Sequence, residues 1–268
     1  RIAAMMGQIR AAMLPPASIK QAPPVSAAQL AELCGVDKSR IAYRLTRGDL
    51  PGGSMVGNRR EWSMEDARTW VRDFRQEHMR PAEAAGTTIT VANFKGGVAK
   101  TTSTVTLAQG LAMRGHRVLV VDLDPQGSAT TLFGVLPDAE VDHEHTAMLL
   151  FSGEQEDLDY AVRSSYWPGI DLVCAAPLLF GAEFALPARQ TRDPGFEFWR
   201  CLDRGLDKAR LDYDVILIDT PPALSYVTIN ALMAADGVIM PLPPSALDFA
   251  SSAQFWDLFS DLCNQLIR

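Results

Sequence analysis

The stretch Ile89-Thr-Val-Ala-Asn-Phe-Lys-Gly-Gly-Val-Ala-Lys-Thr-Thr102 decides the fold of this chain. It predicts a buried strand that runs into a glycine turn, and the turn opens a helix. Gly96 and Gly97 let backbone amides approach a phosphate, and Lys100 can neutralise its charge. The Thr101 hydroxyl, at the positive end of the helix, can ligate Mg²⁺. We therefore predict a nucleotide phosphate site in this stretch.

Two positions of the stretch depart from the general P-loop pattern. Phe94 stands where the first glycine would be, and Ala99 stands where the second would be. Because alanine reaches a positive φ only at an energetic cost, the match holds only if the backbone at Ala99 is right-handed. A glycine-containing strand–helix turn that carries two lysines by chance is the alternative at this point.

Length, composition and cysteine spacing narrow the class of protein. The chain has 268 residues, of which 47% are hydrophobic, enough for one large or two ordinary domains. Its cysteines lie far apart, at positions 34, 174, 201 and 263, which argues against zinc sites, iron–sulfur clusters and disulfide frameworks. There is no apolar run long enough to span a membrane, and the first residues lack a signal-peptide core. We therefore expect a soluble protein of a reduced cytosol.

Charge is distributed unevenly along the chain. The net charge is −7, yet residues 1–85 carry 13 Lys and Arg against 9 Asp and Glu. The remainder is therefore strongly acidic. A basic N-terminal part on an acidic body places any contact with nucleic acid at the front of the chain.

The first segment predicts a helix from Ile2 to Leu14, which Pro15 and Pro16 end. Its apolar side chains recur at helical spacing and form one face. This face either packs on its own domain or pairs with a second copy of the chain, and the pattern favours neither. We assign residues 1–22 to this segment and expect a dimerisation helix. The face consists of Ile2, Met5, Met6, Ile9 and Met13.

Residues 23–76 predict a small helical unit with a hairpin. A capping box at Ser26 starts a short helix that ends near Cys34, and a second helix begins at Asp37. Residues 54–62 predict a turn-rich hairpin, and a further capped helix follows it. The second helix and the hairpin carry donors suited to phosphates and base edges. These candidate DNA contacts are Lys38, Ser39, Arg40, Tyr43, Arg44, Arg47, Arg59 and Arg60.

From Thr87 onward the pattern changes to apolar runs separated by helices. Such runs are typical of strands covered on both faces, so residues 87–268 predict a parallel α/β sheet. The polar residues 77–86 are interpreted as a linker between the two parts. The runs are ITVANF at 89–94, VLVVD at 118–122, IDLVCA at 170–175, VILID at 215–219 and GVIMP at 237–241.

Two of the predicted strands end in carboxylates. Asp122 and Asp124 follow the second strand, and Asp219 ends the fourth. Because the carboxyl ends of parallel strands share one edge of the sheet, where ligands bind, we expect these side chains near the glycine turn. A single aspartate at a strand end is more often a turn residue, but three of them favour a metal and phosphate site.

Several motifs together resemble one family. Lys95 to Thr102 resembles the deviant Walker A motif of the ParA and MinD ATPases. DLDPQGSAT at 122–130 resembles the second ParA motif, and IDTPPALSYVTINAL at 218–232 resembles its Walker B motif and switch segment. Pro241 to Trp256 is similar to the same segment of the large plasmid ParA proteins. The order helix, turn, basic helix, hairpin and helix resembles the winged helix-turn-helix of the MerR-like kind that precedes those proteins.

The resemblance covers nearly all of the chain from Val25 and implies a fold. It implies an α/β domain with a mostly parallel sheet of the P-loop NTPase type, preceded by an α-helical winged helix-turn-helix domain. The ATPase domain of ParA proteins continues with further strands. We therefore expect that residues 87–268 form such a domain without its C-terminal part. A merely structural three-helix unit with a solvated basic face is the alternative for the front.

The same resemblance implies ATP or ADP with Mg²⁺ as cofactors and gives residues their roles. Lys100 holds the β- and γ-phosphates, and Lys95 acts across a dimer interface on the partner's nucleotide. Asp124 orients the attacking water, which makes Lys95, Lys100 and Asp124 the catalytic set. Thr101, Asp122 and Asp219 are the expected metal set. The expected nucleotide-binding residues are Lys95, Gly96, Gly97, Val98, Ala99, Lys100, Thr101 and Thr102.

The function implied is DNA segregation. Such proteins are bacterial, cytoplasmic and nucleoid-associated homodimers that bind DNA, act with a ParB-type centromere-binding protein, avoid membranes and often repress their own operon. A MinD-like membrane ATPase is disfavoured because Phe255 to Arg268 carries two aspartates and a single arginine. An electron-transferring iron protein would need differently placed cysteines. A transcriptional repressor that uses nucleotide only as a switch is the serious alternative.

Overall fold

The front of the chain forms two short helices joined by a tight turn. The computed structural model describes residues 20–266, so the predicted helix at 2–14 lies outside the described residues. Helix α1 (Ala27–Cys34) starts in the predicted capping box, in which Ser26 and Gln29 bond reciprocally. It ends at Gly35, whose φ of 70° suits glycine. Helix α2 (Lys38–Arg47) follows after the three residues 35–37, and Asp37 is its N-cap residue, close to the predicted start.

A hairpin and a third helix complete this front unit. Strand β1 (Val25–Ser26) pairs with β3 (Arg59–Trp62), which pairs in turn with β2 (Ser54–Val56), all antiparallel. Helix α3 (Met64–Phe74) begins at Ser63, whose hydroxyl accepts the Asp66 N–H. Trp62 and Trp70 fill the core, and both indole N–H groups donate to the carbonyl of Pro51.

The body is built on a six-stranded sheet in the order β6-β7-β5-β8-β4-β9. The five predicted strands are present and parallel. The sheet is mostly parallel, as expected; its sixth strand, β6, was not predicted and is an antiparallel edge strand of two residues, too short to carry a recognisable pattern. The strands are β4 (Thr87–Val91), β5 (Val118–Asp122), β6 (Arg163–Ser164), β7 (Ile170–Val173), β8 (Val215–Asp219) and β9 (Gly237–Ile239).

Helices cover both faces of this sheet. Alternate residues of β5 point to opposite sides, so Leu119 and Val121 enter one apolar core while Val118 and Val120 enter the other. The core around Val118 also holds α4 and the tryptophans of the front unit. The helices of the body are α4 (Lys100–Met113), α5 (Ser128–Leu132), α6 (Pro137–Glu140), α7 (Met148–Ser152), α8 (Ala182–Arg192), α9 (Cys201–Gly205), α10 (Ala209–Asp212), α11 (Tyr226–Met233) and α12 (Ala246–Leu266).

The segment 77–86 crosses from the front unit to the body in contact with the body. Arg80 Nε donates to Asp214 Oδ1 at 2.9 Å, and Arg80 Nη2 donates to the Leu211 carbonyl at 2.9 Å. The segment interpreted as a linker is thus fixed to the body through Arg80. Among residues 20–266, none of the helices combines the length and hydrophobicity that a membrane crossing requires.

Candidate functional site: a phosphate cavity at the carboxyl edge of the sheet

The turn between β4 and α4 wraps around an open space above the sheet. Asn93 Oδ1 accepts the N–H of Lys95 and starts the turn, and Gly97 has a φ of 74°. Ala99, the residue before α4, has a φ of 66° and a ψ of 29°. The condition that the motif match set on Ala99, a right-handed backbone, is not met: Ala99 takes the left-handed conformation that glycine adopts without a steric cost. An alanine in the left-handed region costs about 1–2 kcal/mol, so the surrounding turn imposes this conformation.

This turn lines a cavity of about 530 Å³. Every residue predicted to bind nucleotide from Gly96 to Thr102 lies on its wall, and so does Asp124. Lys95 is exposed beside the cavity without lining it. The sequence analysis did not predict the rest of the wall, although Gln126, Ser128 and Pro222 lie within motifs that it identified. The missed residues are Gln126, Ser128, Thr131, Leu132 and Pro222.

Lys100 is the buried cation of the cavity. Only 7% of the residue is exposed, and its Nζ donates to the carbonyl of Lys95 at 3.0 Å. Burial lowers the pKa of Lys100, while the charges of Asp219 and Asp124 oppose that shift. The ammonium lies at the N-terminus of α4, where the helix dipole also favours an anion. A phosphate placed here would find a positive side chain and several backbone N–H groups.

Asp219 supplies the buried carboxylate. Strands β4 and β8 place it opposite Val91, and the hydroxyl of Thr104 donates to its Oδ1 at 3.2 Å. Burial raises the pKa of Asp219, although hydrogen bonds from Thr101 and Thr104 oppose the rise. Its Oδ2 is buried and meets no hydrogen-bond partner within residues 20–266. An orphaned carboxylate oxygen beside a threonine hydroxyl fits Mg²⁺, which binds through few protein oxygens and keeps several waters.

Asp122, which was predicted for the metal set, already has hydrogen-bond partners on both carboxylate oxygens. Its Oδ2 accepts the N–H of Thr130 at 2.8 Å and the hydroxyl of the same residue at 2.7 Å. Its Oδ1 accepts the N–H of Asp124 at 3.1 Å. Burial and the neighbouring Asp219 raise the pKa of Asp122. The two bonds to Thr130 hold the first turn of α5 against the end of β5.

Asp124 lies two residues further on, with its side chain partly exposed to the cavity. Its Oδ1 accepts the N–H of Gln126 at 3.0 Å, which fixes the direction of the carboxylate. A carboxylate held in this way on the wall of a phosphate cavity can accept a hydrogen bond from a water molecule. The three aspartates thus differ in their surroundings: Asp122 has partners on both oxygens, Asp219 has one orphaned oxygen, and Asp124 lines the cavity.

Comparisons with known proteins agree with this site. Residues 86–266 match the model of a family described as "AAA domain". The chain is 35% identical to the protein SopA of Escherichia coli K12 over 246 residues, which are 87% of the chain and 62% of SopA. The chain belongs to the ParA family of AAA-domain proteins.

Two further proteins match a smaller share of the chain. The chromosome-partitioning ATPase Soj of Thermus thermophilus is 42% identical over 157 residues, covering 58% of this chain and 53% of Soj. The crystal structure of cobyrinic acid a,c-diamide synthase from Mycobacterium smegmatis, with a bound ATP analog and magnesium, aligns with a TM-score of 0.59 and 38% identity. That alignment covers 68% of this chain and 70% of the synthase. The chain spans about three fifths of the length of SopA.

The front unit of this ParA-family chain presents a basic helix to solvent. On α2, Lys38, Ser39, Arg40 and Arg47 are exposed, and Tyr43 is 65% exposed. These side chains follow the helix on the face that does not enter the core, because Ile41 is the residue that does. This arrangement leaves five of the six predicted α2 contacts available to a ligand.

Arg44 is the exception on α2 and corrects the prediction for that residue. Its Nη1 lies 2.9 Å from Asp73 Oδ2, and its Nη2 lies 3.1 Å from Asp49 Oδ2. The guanidinium also stands over the ring of Phe74. With two carboxylates and a ring as partners, Arg44 joins α2 to α3 instead of pointing outward.

The two arginines of the hairpin also differ. Arg59 is exposed on β3, opposite Val56 of β2, close to the two-residue turn. Arg60 is partly buried and donates from Nη1 to the carbonyl of Gly52. Arg59 is therefore open to an external partner, whereas Arg60 braces the loop before the hairpin.

Proposed function

We propose that this chain is the nucleotide-binding and DNA-binding part of a ParA-type partition ATPase. It binds ATP or ADP with Mg²⁺ and hydrolyses ATP weakly alone and faster with DNA and a ParB-type partner. The observation that supports the proposal best is the cavity in which the β4–α4 turn, buried Lys100 and Asp219 with its orphaned oxygen meet. The relative from T. thermophilus is named a chromosome-partitioning ATPase, and the relative from M. smegmatis holds an ATP analog and magnesium.

Catalysis of phosphoryl transfer depends on positioning the reactants and on electrostatic stabilisation. Different residues of the cavity contribute to each. Backbone N–H groups from Gly96 to Thr102 surround the phosphates, and Lys100 neutralises their charge. Thr101 and Asp219 hold Mg²⁺, which supplies further positive charge at the phosphates. Asp124 orients the attacking water. Lys95, exposed beside the cavity, reaches the nucleotide of a second copy of the chain.

Titration calorimetry of the chain with ATP and with ADP in the presence of Mg²⁺ tests this site. Lys100→Ala removes the buried cation and should abolish measurable nucleotide binding. Lys208→Ala removes an exposed lysine that pairs with Asp157 and should leave binding unchanged. Equal affinity in the Lys100→Ala variant and the parent would refute the phosphate site.

The front unit is the proposed winged helix-turn-helix, with α2 as the recognition helix and the β2–β3 hairpin as the wing. The exposure of Lys38, Arg40, Tyr43, Arg47 and Arg59 supports this assignment. Replacing a residue that contacts phosphate should weaken binding to all sequences alike, and replacing one that contacts a base edge should cost about 1–3 kcal/mol at one position. A chain that does not prefer its own promoter region over random duplex at moderate salt would contradict the assignment.

A homodimer is part of the proposal, because a helix-turn-helix normally reads two half-sites. The segment 1–22 is proposed to hold the dimer. Sedimentation of the chain with and without residues 1–19 tests this directly. A chain that is monomeric at tens of micromolar, or whose dimer survives the deletion, would contradict the role of this segment.

The alternative is a repressor in which nucleotide acts only as a switch. Partition requires turnover that a ParB-type partner and DNA accelerate, whereas a switch requires only binding. In the full-length protein, Asp124→Ala should keep nucleotide binding and lose hydrolysis, because orienting water matters only on the path to the transition state. Turnover that neither DNA nor partner changes would favour the repressor, and a nucleoid location in cells would favour the partition protein.

A further inference from the structure

The loop at residues 220–225 forms part of the wall of the phosphate cavity. It follows Asp219 directly and leads into α11. Pro222 lines the cavity together with the β4–α4 turn, and a Cβ atom built on Gly96 would lie 3.8 Å from the Cβ of Pro222. The position of this loop therefore sets the width of the cavity between Pro222 and Gly96.

The beginning of the loop is tied to the sheet. Thr220 is buried, and its hydroxyl donates to the carbonyl of Val91 at 2.9 Å. Pro222, Ala223 and Leu224 are exposed. The middle of the loop thus receives little support from packing, and its geometry depends on how its two ends are held.

The end of the loop is held by a carboxylate from another helix. Glu183 of α8 accepts the N–H of Tyr226 through Oε2 at 3.0 Å and the N–H of Val227 through Oε1 at 3.1 Å. These are the first two N–H groups of α11, which have no partner inside the helix. Ser225 accepts the N–H of Thr228 in the same turn.

The two contacts of Glu183 are suited to fixing an orientation. Each carboxylate oxygen binds a separate N–H, so α11 can neither rotate about its first turn nor move away without losing a charge-assisted hydrogen bond. The negative charge also lies at the positive end of the helix dipole. The hydroxyl of Thr228 donates to the Ala223 carbonyl at 2.7 Å, which passes this constraint back to the middle of the loop.

We propose that Glu183 is a positioning residue for the nucleotide reaction: it holds the loop 220–225 so that Pro222 stands against Gly96 at the phosphates. The proposal rests on the proposed function, because it assigns Glu183 to the same cavity. Glu183 does not reach the phosphates itself. It acts through the N-terminal turn of α11.

The test compares Glu183→Gln with Glu197→Gln by amide hydrogen exchange and kinetics. Glutamine keeps the size of the side chain but loses the charge and one acceptor, so one of the two N–H groups of α11 loses its partner. Glu197 pairs with Arg204 and Arg200 on the exposed side of the same half of the body and serves as the matched control. Without nucleotide, exchange of the hydrogen-bonded N–H groups of Tyr226, Val227 and Thr228 should be about tenfold faster in Glu183→Gln alone.

In the full-length protein, Glu183→Gln should lower kcat about tenfold and leave the Kd for ATP within twofold, because the ordered loop matters most during the reaction. A role limited to stability would instead speed exchange throughout α8 and α11 and leave kcat unchanged. Unchanged amide exchange at the first turn of α11 in Glu183→Gln would overturn the proposal. An equal acceleration of exchange in Glu197→Gln would overturn it as well. Failure of the parent chain to bind any nucleotide would refute the proposed function, while the exchange comparison would still decide whether Glu183 holds the loop.

Discussion

Arg68 Nε donates a hydrogen bond to the carbonyl oxygen of Ala112 at 2.8 Å, joining the front unit to the last turn of α4. The same guanidinium donates from Nη2 to the carbonyl of His116 at 2.9 Å, and Gly169 leaves the space that it occupies. Arg72, one turn further along α3, donates to the Gly115 carbonyl at 2.6 Å. The C-terminus of α4, which would otherwise expose unpaired carbonyls, is thus capped by arginines of the front unit. Helix α4 therefore begins at the phosphate cavity, and its other end is bound by arginines of the candidate DNA-binding unit.

Arg68→Met tests the energetic weight of this contact. Methionine keeps much of the apolar stem but removes the donor to the part-buried His116 carbonyl and one donor to the Ala112 carbonyl, which also accepts the N–H of Gly115. We expect the free energy of unfolding to fall by about 2–4 kcal/mol. Chemical denaturation measures it, with Arg47→Met on exposed α2 as a control that should change stability by less than about 0.5 kcal/mol. Equal effects of the two substitutions would show that the front unit contributes nothing through Arg68.

Ala99→Gly should stabilise the chain. Glycine removes the cost of about 1–2 kcal/mol for a left-handed alanine but adds roughly 0.5–1 kcal/mol of unfolded-state entropy, so a net gain of about 0.5–1 kcal/mol is expected. The matched control is Ala108→Gly, in a right-handed turn of the same helix, which should lose about 1 kcal/mol. In urea denaturation, the free energy of unfolding should rise in Ala99→Gly and fall in Ala108→Gly, each relative to the parent. A loss in Ala99→Gly would mean that the turn is not strained.

Asp219→Asn should remove the dependence of nucleotide binding on Mg²⁺. The neutral amide is a poor ligand for Mg²⁺, so the affinity of the variant for ATP should equal that of the parent in EDTA. Asp171→Asn, on β7, where the carboxylate accepts the hydroxyl of Tyr213, is the control and should retain the dependence. Titration calorimetry gives the affinity of each variant for ATP with and without Mg²⁺. A Mg²⁺ effect of undiminished size in Asp219→Asn would place the metal elsewhere.

His116 should make stability depend on pH in the mildly acidic range. Burial lowers its pKa from the ordinary value near 6.5, and nearby arginines lower it further, while Asp214 opposes the shift. The unfolded chain therefore binds the proton at a higher pH than the folded chain does. The stability contributed by neutral His116 is present above pH 6.5 and is lost as the pH falls from there towards the folded-state pKa.

His116→Gln removes this proton linkage. The stability lost by the parent between pH 7.5 and pH 5.5, measured by denaturation, should exceed the loss in the variant. His78→Gln changes an exposed histidine and should follow the parent. Parallel pH profiles for the parent and His116→Gln would contradict the assignment.

Local patterns determined most of the secondary structure. The capping box at Ser26, the serine before α3 and the apolar runs of the sheet involve residues close in sequence, so their spacing predicted helices and strands at nearly the observed positions. The glycine turn from Gly96 to Lys100 likewise predicted the cavity, because a strand followed by such a turn and a helix leaves N–H groups free for a phosphate. The edge strand β6 was missed because two residues carry no period.

The tertiary structure alone decided what each charged side chain does. Asp122 and Asp124 stand two residues apart in one motif, yet Asp122 accepts two hydrogen bonds from Thr130 while Asp124 lines the cavity. In the sequence, Arg44 resembles the other basic residues of α2. In the structure it pairs with Asp73 of α3 and is drawn away from solvent. Such roles depend on partners distant in sequence, and periodicity contains no information about them. The left-handed conformation of Ala99 also depends on tertiary structure, because the surrounding turn offsets the cost of this conformation for alanine.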